Sequence, residues 1–380
     1  MSNNSDNAKR KFSKTLETQR EKFIAFLNRV VRDIIVLNEE NIKTMPSGRM
    51  MVCCTHRSHL DYVILGMKIP EFGADQIRFA AGDNLTRIPK LGKLFRSVGA
   101  FSVYRGKSSQ RTYLVRLAEQ VKMMVASGDS VIVFPEAGRS YSGEMLEAKS
   151  GILAAGVLAQ KDEPKKDIYY FPTAINYTKL PDLKAFDLLL KGKNMRDTSK
   201  NVLLKFLGAF LYYFADVRVF LSAWIFKKRT DVILNVGKAV PLSEITNVEG
   251  KFRGDNKSPL VANRDAINEM TAWVEKQLTA IFPILPLNIA AYLFENFGRK
   301  GLTEKNVSET IEKLKAAGFC IDAMANNSPR EILDSGIKQL NENGALRGIF
   351  HISLKHKTRL RYFAAFVNSA LASEKLEVRN

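Results

Sequence analysis

The chain has 380 residues, of which 46% are hydrophobic and 26% are charged, a composition that excludes a disordered or fibrous protein. Lys and Arg number 58 and Asp and Glu 39, so the net charge at pH 7 is +19. This charge predicts attraction to acidic partners such as nucleic acid, anionic lipid headgroups, phosphorylated metabolites or an acidic carrier protein. The length predicts one large domain with additions, or two domains.

Cysteine usage and the N-terminus indicate the cellular compartment. Cys53 and Cys54 are adjacent and Cys320 is distant, which gives no disulfide framework and predicts a reducing interior. The first 14 residues are polar and basic and lack the apolar core of a signal peptide. No run of 18 apolar residues occurs, so a membrane-spanning helix is not expected. We therefore expect a cytoplasmic protein.

Residues 15–41 predict one amphipathic helix, because apolar residues from Phe23 to Ile35 recur at helical spacing with basic residues between them. Two interpretations fit this pattern. The helix packs its apolar stripe on its own domain, or it lies in a membrane surface.

From residue 46 to about 246, short β-rich runs alternate with helical stretches. The runs lie at 50–55, 77–81, 99–104, 130–135, 168–177 and 231–237. The clearest helix covers 109–127 and stops at Gly128. This alternation predicts an α/β domain with a mostly parallel central sheet flanked by helices.

The remaining segments give the predicted domain organisation. Residues 247–263 are polar and Gly-containing and predict a linker. The segment beyond it is mostly helical, with a hairpin predicted within 345–362. The sequence therefore divides into an N-terminal amphipathic helical segment at 1–45, an α/β domain at 46–246 and a C-terminal, mostly helical region at 264–380.

Several common motifs are absent. The sequence has no G-x-G-x-x-G fingerprint, no P-loop and no G-x-S-x-G elbow, so it predicts no dinucleotide site and no serine esterase. Cys53, Cys54, His56 and His59 are close enough in sequence to suggest zinc. However, adjacent residues of a strand face opposite sides, so both cysteines cannot reach one ion. We expect no metal.

The segment 55–62 follows a buried strand and precedes a helical run. Ser58 with Asp61 fits a helix-capping pair, which requires no catalytic role. The alternative uses the same turn. With His56 in the turn before the helix, Asp61 can hold one imidazole nitrogen and leave the other to accept a proton from an alcohol.

A second polar segment, 134–140, also ends a buried strand, where ligands of α/β sheets collect. Arg139 suits a phosphate, or alternatively a surface ion pair with Glu136 or Glu144. Glu136 alternatively caps the loop.

At this point the sequence resembles the H-x4-D glycerolipid acyltransferase family, and most of all its glycerol-3-phosphate and dihydroxyacetone-phosphate branch. Four blocks in the family's order carry the resemblance: HRSHLD at 56–61, GAFSVYR at 99–105, FPEAGRS at 134–140 and FPTAI at 171–175. Segments 141–151 and 360–363 add weaker similarity. Ala137 stands where the family usually has Gly, and Tyr104-Arg105 replaces an Arg pair.

The resemblance implies a role for individual residues. His56 would be the general base and Asp61 its orienting carboxylate. Arg105, Arg139 and Ser140 would hold the acceptor phosphate, with Lys149 as a weaker candidate. Glu136 and Gly138 would line the glycerol site, and Pro172 would shape the acyl or thioester site.

The implied reaction is transfer of a fatty acyl group from acyl-CoA or acyl carrier protein to the sn-1 hydroxyl of glycerol 3-phosphate, without metal or redox cofactor. The alternative acceptors are lysophosphatidate and dihydroxyacetone phosphate. A nucleic-acid-binding protein would explain the charge, but no recognition motif is present, so no nucleic-acid partner is expected. An inactive membrane-bound scaffold of the same fold is disfavoured by the intact His56 and Asp61.

Because the implied product is lipid-like, we expect peripheral attachment to the anionic inner face of the membrane. Candidate contacts are the 15–41 helix, the hydrophobic region 202–226, and Lys191, Lys193, Arg196 and Lys200.

Overall fold

The structure of the chain is a computed structural model. The structure describes residues 27–46, 48–71, 77–82, 99–104, 110–186, 229–246, 259–348 and 352–377, together with Glu21, Ile24, Ala25, Arg96, Leu189, Leu203, Leu204 and Leu207.

An eight-stranded sheet forms the centre of the protein. Its strands are β1 (Val31–Leu37), β2 (Met50–Cys54), β3 (Ile77–Gly82), β4 (Ala100–Val103), β5 (Ser130–Val133), β6 (Tyr169–Tyr177), β7 (Thr230–Val236) and β8 (Val240–Pro241). The strand order is β1-β7-β6-β2-β5-β3-β4, and β8 pairs with β6. Strands β2 to β6 run parallel, whereas β7 and β8 are antiparallel to β6. The carboxyl ends of the central strands β2, β5 and β6 therefore meet at one edge.

Helices cover both faces of this sheet. They are α1 (Asp61–Glu71), α2 (Arg111–Ala126), α3 (Ser150–Asp162), α4 (Arg264–Ile281), α5 (Pro286–Phe297), α6 (Glu304–Ala316), α7 (Pro329–Glu342) and α8 (Lys357–Glu377). Short helical turns lie at Glu40–Lys43, Leu242–Ile245, Pro259–Ala262, Gly298–Gly301 and Asp322–Met324.

Strand β2 shows how the sequence produces two cores. It is buried along its whole length, and successive side chains point to opposite faces. Met50, Val52 and Cys54 join one core with α1, α5 and α8. Met51 and Cys53 join the other with α2, α3 and α4. Both faces are covered, which is why the strand is a continuous apolar run.

Most predicted elements are confirmed. Each of the six β-rich runs contains a strand, and the predicted 109–127 helix corresponds to Arg111–Ala126. Gly128 ends this helix with a φ of +99°, a conformation that glycine adopts without steric cost. The mixed α/β fold with a mainly parallel sheet is therefore as expected.

The prediction of one helix over 15–41 is wrong in its second half. Residues 27–30 are helical, but Val31–Leu37 form strand β1, which pairs in parallel with β7. Arg32 contributes an ion pair to Asp231 across these two strands. Most of the positions before residue 27 lie outside the described residues.

The C-terminal region packs against the α/β core. The predicted hairpin is present as β9 (Leu346–Arg347) and β10 (Ser353–Leu354), but it ends before Lys357, where α8 begins. Side chains of α4, α5 and α8 belong to the same cores as the sheet. The division into three segments stays a prediction.

Among the described residues, no single helix has the length and apolar character to cross a bilayer; Arg264–Ile281 with Pro286–Gly301 meets these criteria only as a pair bent by 88°.

Candidate active site

The turn after β2 is fixed by its neighbour β6. The backbone N–H of Thr55 donates to the Thr173 carbonyl at 3.3 Å, and the Thr55 hydroxyl accepts the Ile175 N–H at 3.0 Å. Because both contacts hold Thr55 in the plane of the sheet, the next residue, His56, starts from a fixed position at the carboxyl edge.

His56 and Asp61 are in direct contact, as predicted. Nδ1 of His56 lies 2.9 Å from Oδ2 of Asp61, and Asp61 is completely buried. The same carboxylate oxygen accepts the backbone N–H groups of Arg57 at 2.7 Å and Ser58 at 2.9 Å. Asp61 therefore both caps the start of α1 and orients the His56 ring, so the two interpretations of the sequence hold together. With Nδ1 held, Nε2 is the nitrogen that can accept a proton.

Burial sets the protonation state of His56. The ring stacks on Phe134, with the ring centroids 4.2 Å apart. Burial lowers the pKa of His56, and the hydrogen bond to Asp61 opposes this shift only in part. The imidazole is therefore mostly neutral at pH 7, the form required to remove a proton from an alcohol.

Tyr177 is a further partner of Asp61 that the sequence did not reveal. Its hydroxyl donates to Oδ1 of Asp61, on the carboxylate oxygen that His56 does not contact. Tyr177 ends β6 and is fully buried, and burial raises the pKa of its hydroxyl well above its ordinary value. The hydroxyl therefore stays protonated and holds Asp61 from the side opposite His56.

Glu136 follows β5 at the same edge of the sheet. It is buried, and neither carboxyl oxygen accepts a hydrogen bond of ordinary geometry from the described residues. Burial raises the pKa of Glu136 to about 7, while the nearby Arg57 guanidinium and, more weakly, the His56 backbone oppose the rise. A loop-capping role is not supported by these contacts.

Arg139 pairs with a residue that the sequence did not single out. Its Nη1 lies 2.6 Å from Oδ1 of Asp182, and both side chains are buried. The alternative interpretation of Arg139 as an ion-pairing residue therefore applies, with the buried Asp182 as a partner. Asp182 also accepts the hydroxyl of Ser58, so it links the third sequence block to the turn that carries His56.

Arg57 lies inside the first block but had no predicted role. Its Nη1 donates to the carbonyl of Glu144 at 3.0 Å, and its guanidinium lies 4.7 Å from the Phe282 ring centroid. Ser140 fastens the same loop, because its hydroxyl accepts the Gly143 N–H at 2.9 Å. Both residues hold the 140–145 loop beside His56.

The other predicted residues lie in more varied positions. Lys149 is exposed and pairs with Glu147, and Gly138 is half-buried with free space where a Cβ would stand. Pro172 lies inside β6, where its carbonyl accepts the Gly237 N–H at 2.9 Å. Arg105 lies outside the described residues, as do Lys191, Lys193, Arg196, Lys200 and most of 202–226.

Ala137 has an unusual backbone. Its φ is +54°, a left-handed conformation that costs an L-residue about 1–2 kcal/mol relative to the usual helical region. A glycine at this position would carry no such cost, which explains physically why the resembling family has Gly here.

Cys53 and Cys54 face opposite sides of the sheet, as predicted, and burial raises the pKa of both thiols. Within the described ranges, no group of three or more His, Cys, Asp or Glu side chains is arranged to hold a metal ion.

A family model matches the part of the chain that carries the candidate site. Residues 33–176 match the model described as Acyltransferase. All four sequence blocks that carry the resemblance, at 56–61, 99–105, 134–140 and 171–175, lie within the matched range.

The chain is also similar to individual curated proteins. The chain is 26% identical to a glycerol-3-phosphate acyltransferase of Xylella fastidiosa (strain M23) over 296 residues, which are 76% of this chain and 32% of the relative. It is also 26% identical to a glycerol-3-phosphate acyltransferase of Pseudomonas fluorescens (strain SBW25), covering 76% of this chain and 33% of the relative. The match thus spans about a third of the length of these curated relatives.

One solved structure also overlaps with the fold. The crystal structure of the 1-acyl-sn-glycerophosphate acyltransferase from Thermotoga maritima is 16% identical, covers 70% of this chain and 78% of that chain, and has a TM-score of 0.33.

Proposed function

We propose that the protein transfers a fatty acyl group from an acyl thioester to the sn-1 hydroxyl of glycerol 3-phosphate, giving lysophosphatidate. The observation that carries this proposal is the contact of 2.9 Å between His56 Nδ1 and the buried Asp61 carboxylate, at the carboxyl edge of β2. The names of the relatives support the choice of acceptor.

The proton transfers follow from this geometry. Nε2 of His56 takes the proton of the acceptor hydroxyl as its oxygen attacks the thioester carbonyl. Asp61 stabilises the imidazolium that forms. When the tetrahedral intermediate collapses, the C–S bond breaks and the leaving thiol receives the proton from His56. The base is restored, and no acyl-enzyme forms.

The remaining predicted residues bind the substrates in this proposal. Arg105, Arg139 and Ser140 take the acceptor phosphate, with Lys149 as an outer cation. Glu136 and Gly138 line the glycerol site beside His56, and Pro172 shapes the thioester site. Acyl-CoA and acyl carrier protein are both donors of the required chemistry.

The decisive experiment is thiol release from palmitoyl-CoA in the presence of glycerol 3-phosphate. We expect His56→Ala to lower kcat by about 10²- to 10⁴-fold, the range that a positioned general base contributes. His356→Ala is the matched control, because His356 immediately precedes α8 and has no contact with His56 or Asp61 among those described. Undiminished turnover in a folded His56→Ala protein would remove the assignment of the base.

The acceptor is tested in the same assay. We expect glycerol 3-phosphate to give the highest kcat/KM, ahead of dihydroxyacetone phosphate and lysophosphatidate. A clear preference for lysophosphatidate would place the protein in the other acylation step. Parallel assays with acyl-CoA and acyl carrier protein identify the donor.

We also propose peripheral attachment to the anionic inner face of the membrane. The net charge of +19 supports it, and Leu203, Leu204 and Leu207 present exposed apolar side chains in the hydrophobic region 202–226. Flotation with vesicles containing anionic lipid should show binding that high salt weakens. Equal absence of binding at low and high salt would reject this attachment.

A further inference from the structure

Three buried side chains around the loop after β5 have polar atoms that make no hydrogen bond of ordinary geometry among the described residues. They are both carboxyl oxygens of Glu136, Nε of Arg57 and the hydroxyl of Tyr362. A buried polar atom without a partner costs about 1–3 kcal/mol of stability. Such atoms in a native site commonly have a ligand or water as their missing partner.

Tyr362 reaches this place from the far end of the chain. It lies in the first turns of α8, which packs against the loop after β5. The two segments approach closely at Gly143, where a Cβ would lie only 1.8 Å from the Tyr362 carbonyl oxygen. The Tyr362 ring is also packed near Phe186, with centroids 6.0 Å apart. The position of Tyr362 is therefore set by backbone contact and ring packing.

The three groups lie around one loop, because Arg57 Nη1 donates to the Gly143 carbonyl at 3.4 Å and the Tyr362 backbone packs on Gly143, seven residues after Glu136. Burial raises the pKa of Tyr362 to about 12, and the positive charge of Arg57 opposes this shift while the carboxyl of Glu136 adds to it. Arg57 likewise opposes the rise in the pKa of Glu136. Each group therefore lies within electrostatic reach of the other two, and Asp61 acts on both Glu136 and Tyr362.

The hydrogen-bonding groups of Glu136 and Tyr362 together suit an alcohol ligand. A carboxylate accepts a hydrogen bond, and a phenol hydroxyl both donates and accepts one. A hydroxyl group placed between Glu136 and Tyr362 would donate to the first and accept from the second. A site with only acceptors or only donors would satisfy a hydroxyl less well.

We propose that Tyr362 is a substrate-contacting residue, and that its hydroxyl together with Glu136 binds the acceptor hydroxyl that is not acylated. This inference rests on the proposed function and adds to it a residue that determines specificity for the acceptor. Helix α8 thereby supplies part of the acceptor site.

The first experiment compares Tyr362→Phe with Tyr170→Phe. The Tyr170 hydroxyl is equally buried but donates to the Leu153 carbonyl at 2.8 Å. Tyr362→Phe should leave the melting temperature unchanged or raise it, because no intramolecular hydrogen bond is lost, and should raise KM for glycerol 3-phosphate about 3- to 10-fold. Tyr170→Phe should do the opposite, lowering the melting temperature and leaving KM unchanged.

The second experiment removes the hydroxyl from the substrate. The analogue 3-hydroxypropyl phosphate lacks the second hydroxyl of glycerol 3-phosphate. Wild-type protein should prefer glycerol 3-phosphate in kcat/KM, and Tyr362→Phe should reduce this preference about 3- to 10-fold. Equal loss on both substrates, or no loss on either, would overturn the inference.

A binding measurement separates this inference from the proposed function. Calorimetric titration of glycerol 3-phosphate into His56→Ala protein needs no turnover, and adding Tyr362→Phe should weaken Kd about 3- to 10-fold. If wild-type protein shows no acyl transfer but this loss of affinity is present, the reaction is wrong and the Tyr362 site stands. If turnover is present and affinity is unchanged, Tyr362 does not contact the acceptor.

Discussion

Burial shifts the pKa values of His56 and Glu136 in opposite directions, because the charged form is protonated in one and deprotonated in the other. The pKa of His56 is lowered and that of Glu136 is raised to about 7. Both shifts favour the neutral side chain near pH 7. A neutral imidazole is ready to act as a base, and a carboxyl near its midpoint interacts with an alcohol in either form.

The raised pKa of Glu136 predicts a pH-dependent stability difference. Below pH 4.5 the carboxyl is protonated in both folded and unfolded chains. As the pH rises to 7 only the unfolded chain loses the proton, so the free energy of unfolding falls by up to about 3 kcal/mol. Glu136→Gln should therefore exceed wild type in stability at pH 8, with a difference that shrinks towards pH 5. Urea unfolding at both values checks this.

His56→Gln is the control, because its effect on the free energy of unfolding should change with pH in the opposite direction. The folded protein keeps His56 neutral, so wild-type stability decreases as the pH falls below about 6.5, the ordinary pKa of histidine. The His56→Gln difference should therefore grow on the acid side, and the Glu136→Gln difference on the alkaline side. A Glu136→Gln difference that does not change with pH would contradict the burial of its charge.

Between elements, Asp182 joins the two blocks that carry the candidate site. It pairs with Arg139 after β5 and accepts a hydrogen bond from the hydroxyl of Ser58 in the turn before α1.

Strand β1 shows why a helical spacing of apolar residues can still form a strand. Val31, Ile34 and Ile35 fit helical spacing, but the segment is rich in β-branched residues and β7 offers an edge to pair with, so it forms a strand.

Asp182→Asn should destabilise the protein by about 3–5 kcal/mol, because it removes the carboxylate that pairs with the buried Arg139 charge. Asp231→Asn is the matched control. It removes a pair with Arg32, whose side chain is 65% exposed, and should cost less than about 1 kcal/mol. Chemical denaturation measures both. Equal small losses would show that Arg139 finds another partner.

Over the whole molecule, the C-terminal helices pack against the loops at the carboxyl edge of the sheet. Helix α8 contacts the loop after β5 through Tyr362 and Gly143, and Phe282 at the end of α4 lies against the Arg57 guanidinium. The C-terminal helices therefore contact both the loop after β5 and the turn that carries His56.

Gly143→Ala tests this docking. Gly143 has a φ of +90° and no room for a Cβ, whereas Gly318 has a φ of +76° and no atom within 4 Å of the Cβ position. Both substitutions to Ala carry the backbone cost of about 1–2 kcal/mol, but only Gly143→Ala also displaces α8. It should therefore be less stable than Gly318→Ala in thermal unfolding and should raise KM for the acceptor. Equal effects of the two substitutions would show that α8 docking does not support the site.

Sequence alone determined the features that depend on neighbours along the chain. Apolar β-rich runs predicted six strands, because a doubly covered parallel sheet needs continuous apolar segments. The contact between His56 and Asp61 was predictable because both lie in one turn between a strand and a helix. The position of the 134–140 segment at the same edge followed from the rule that parallel strands share their carboxyl ends.

Only the tertiary structure decided the partners of these residues. These contacts join residues that are 43 to more than 200 positions apart: Tyr177 with Asp61, Asp182 with Arg139, and Tyr362 with Gly143. No periodicity or local spacing records such contacts. They arise because packing brings distant segments together, and a buried charge or hydroxyl is then stabilised only by what that packing places within reach.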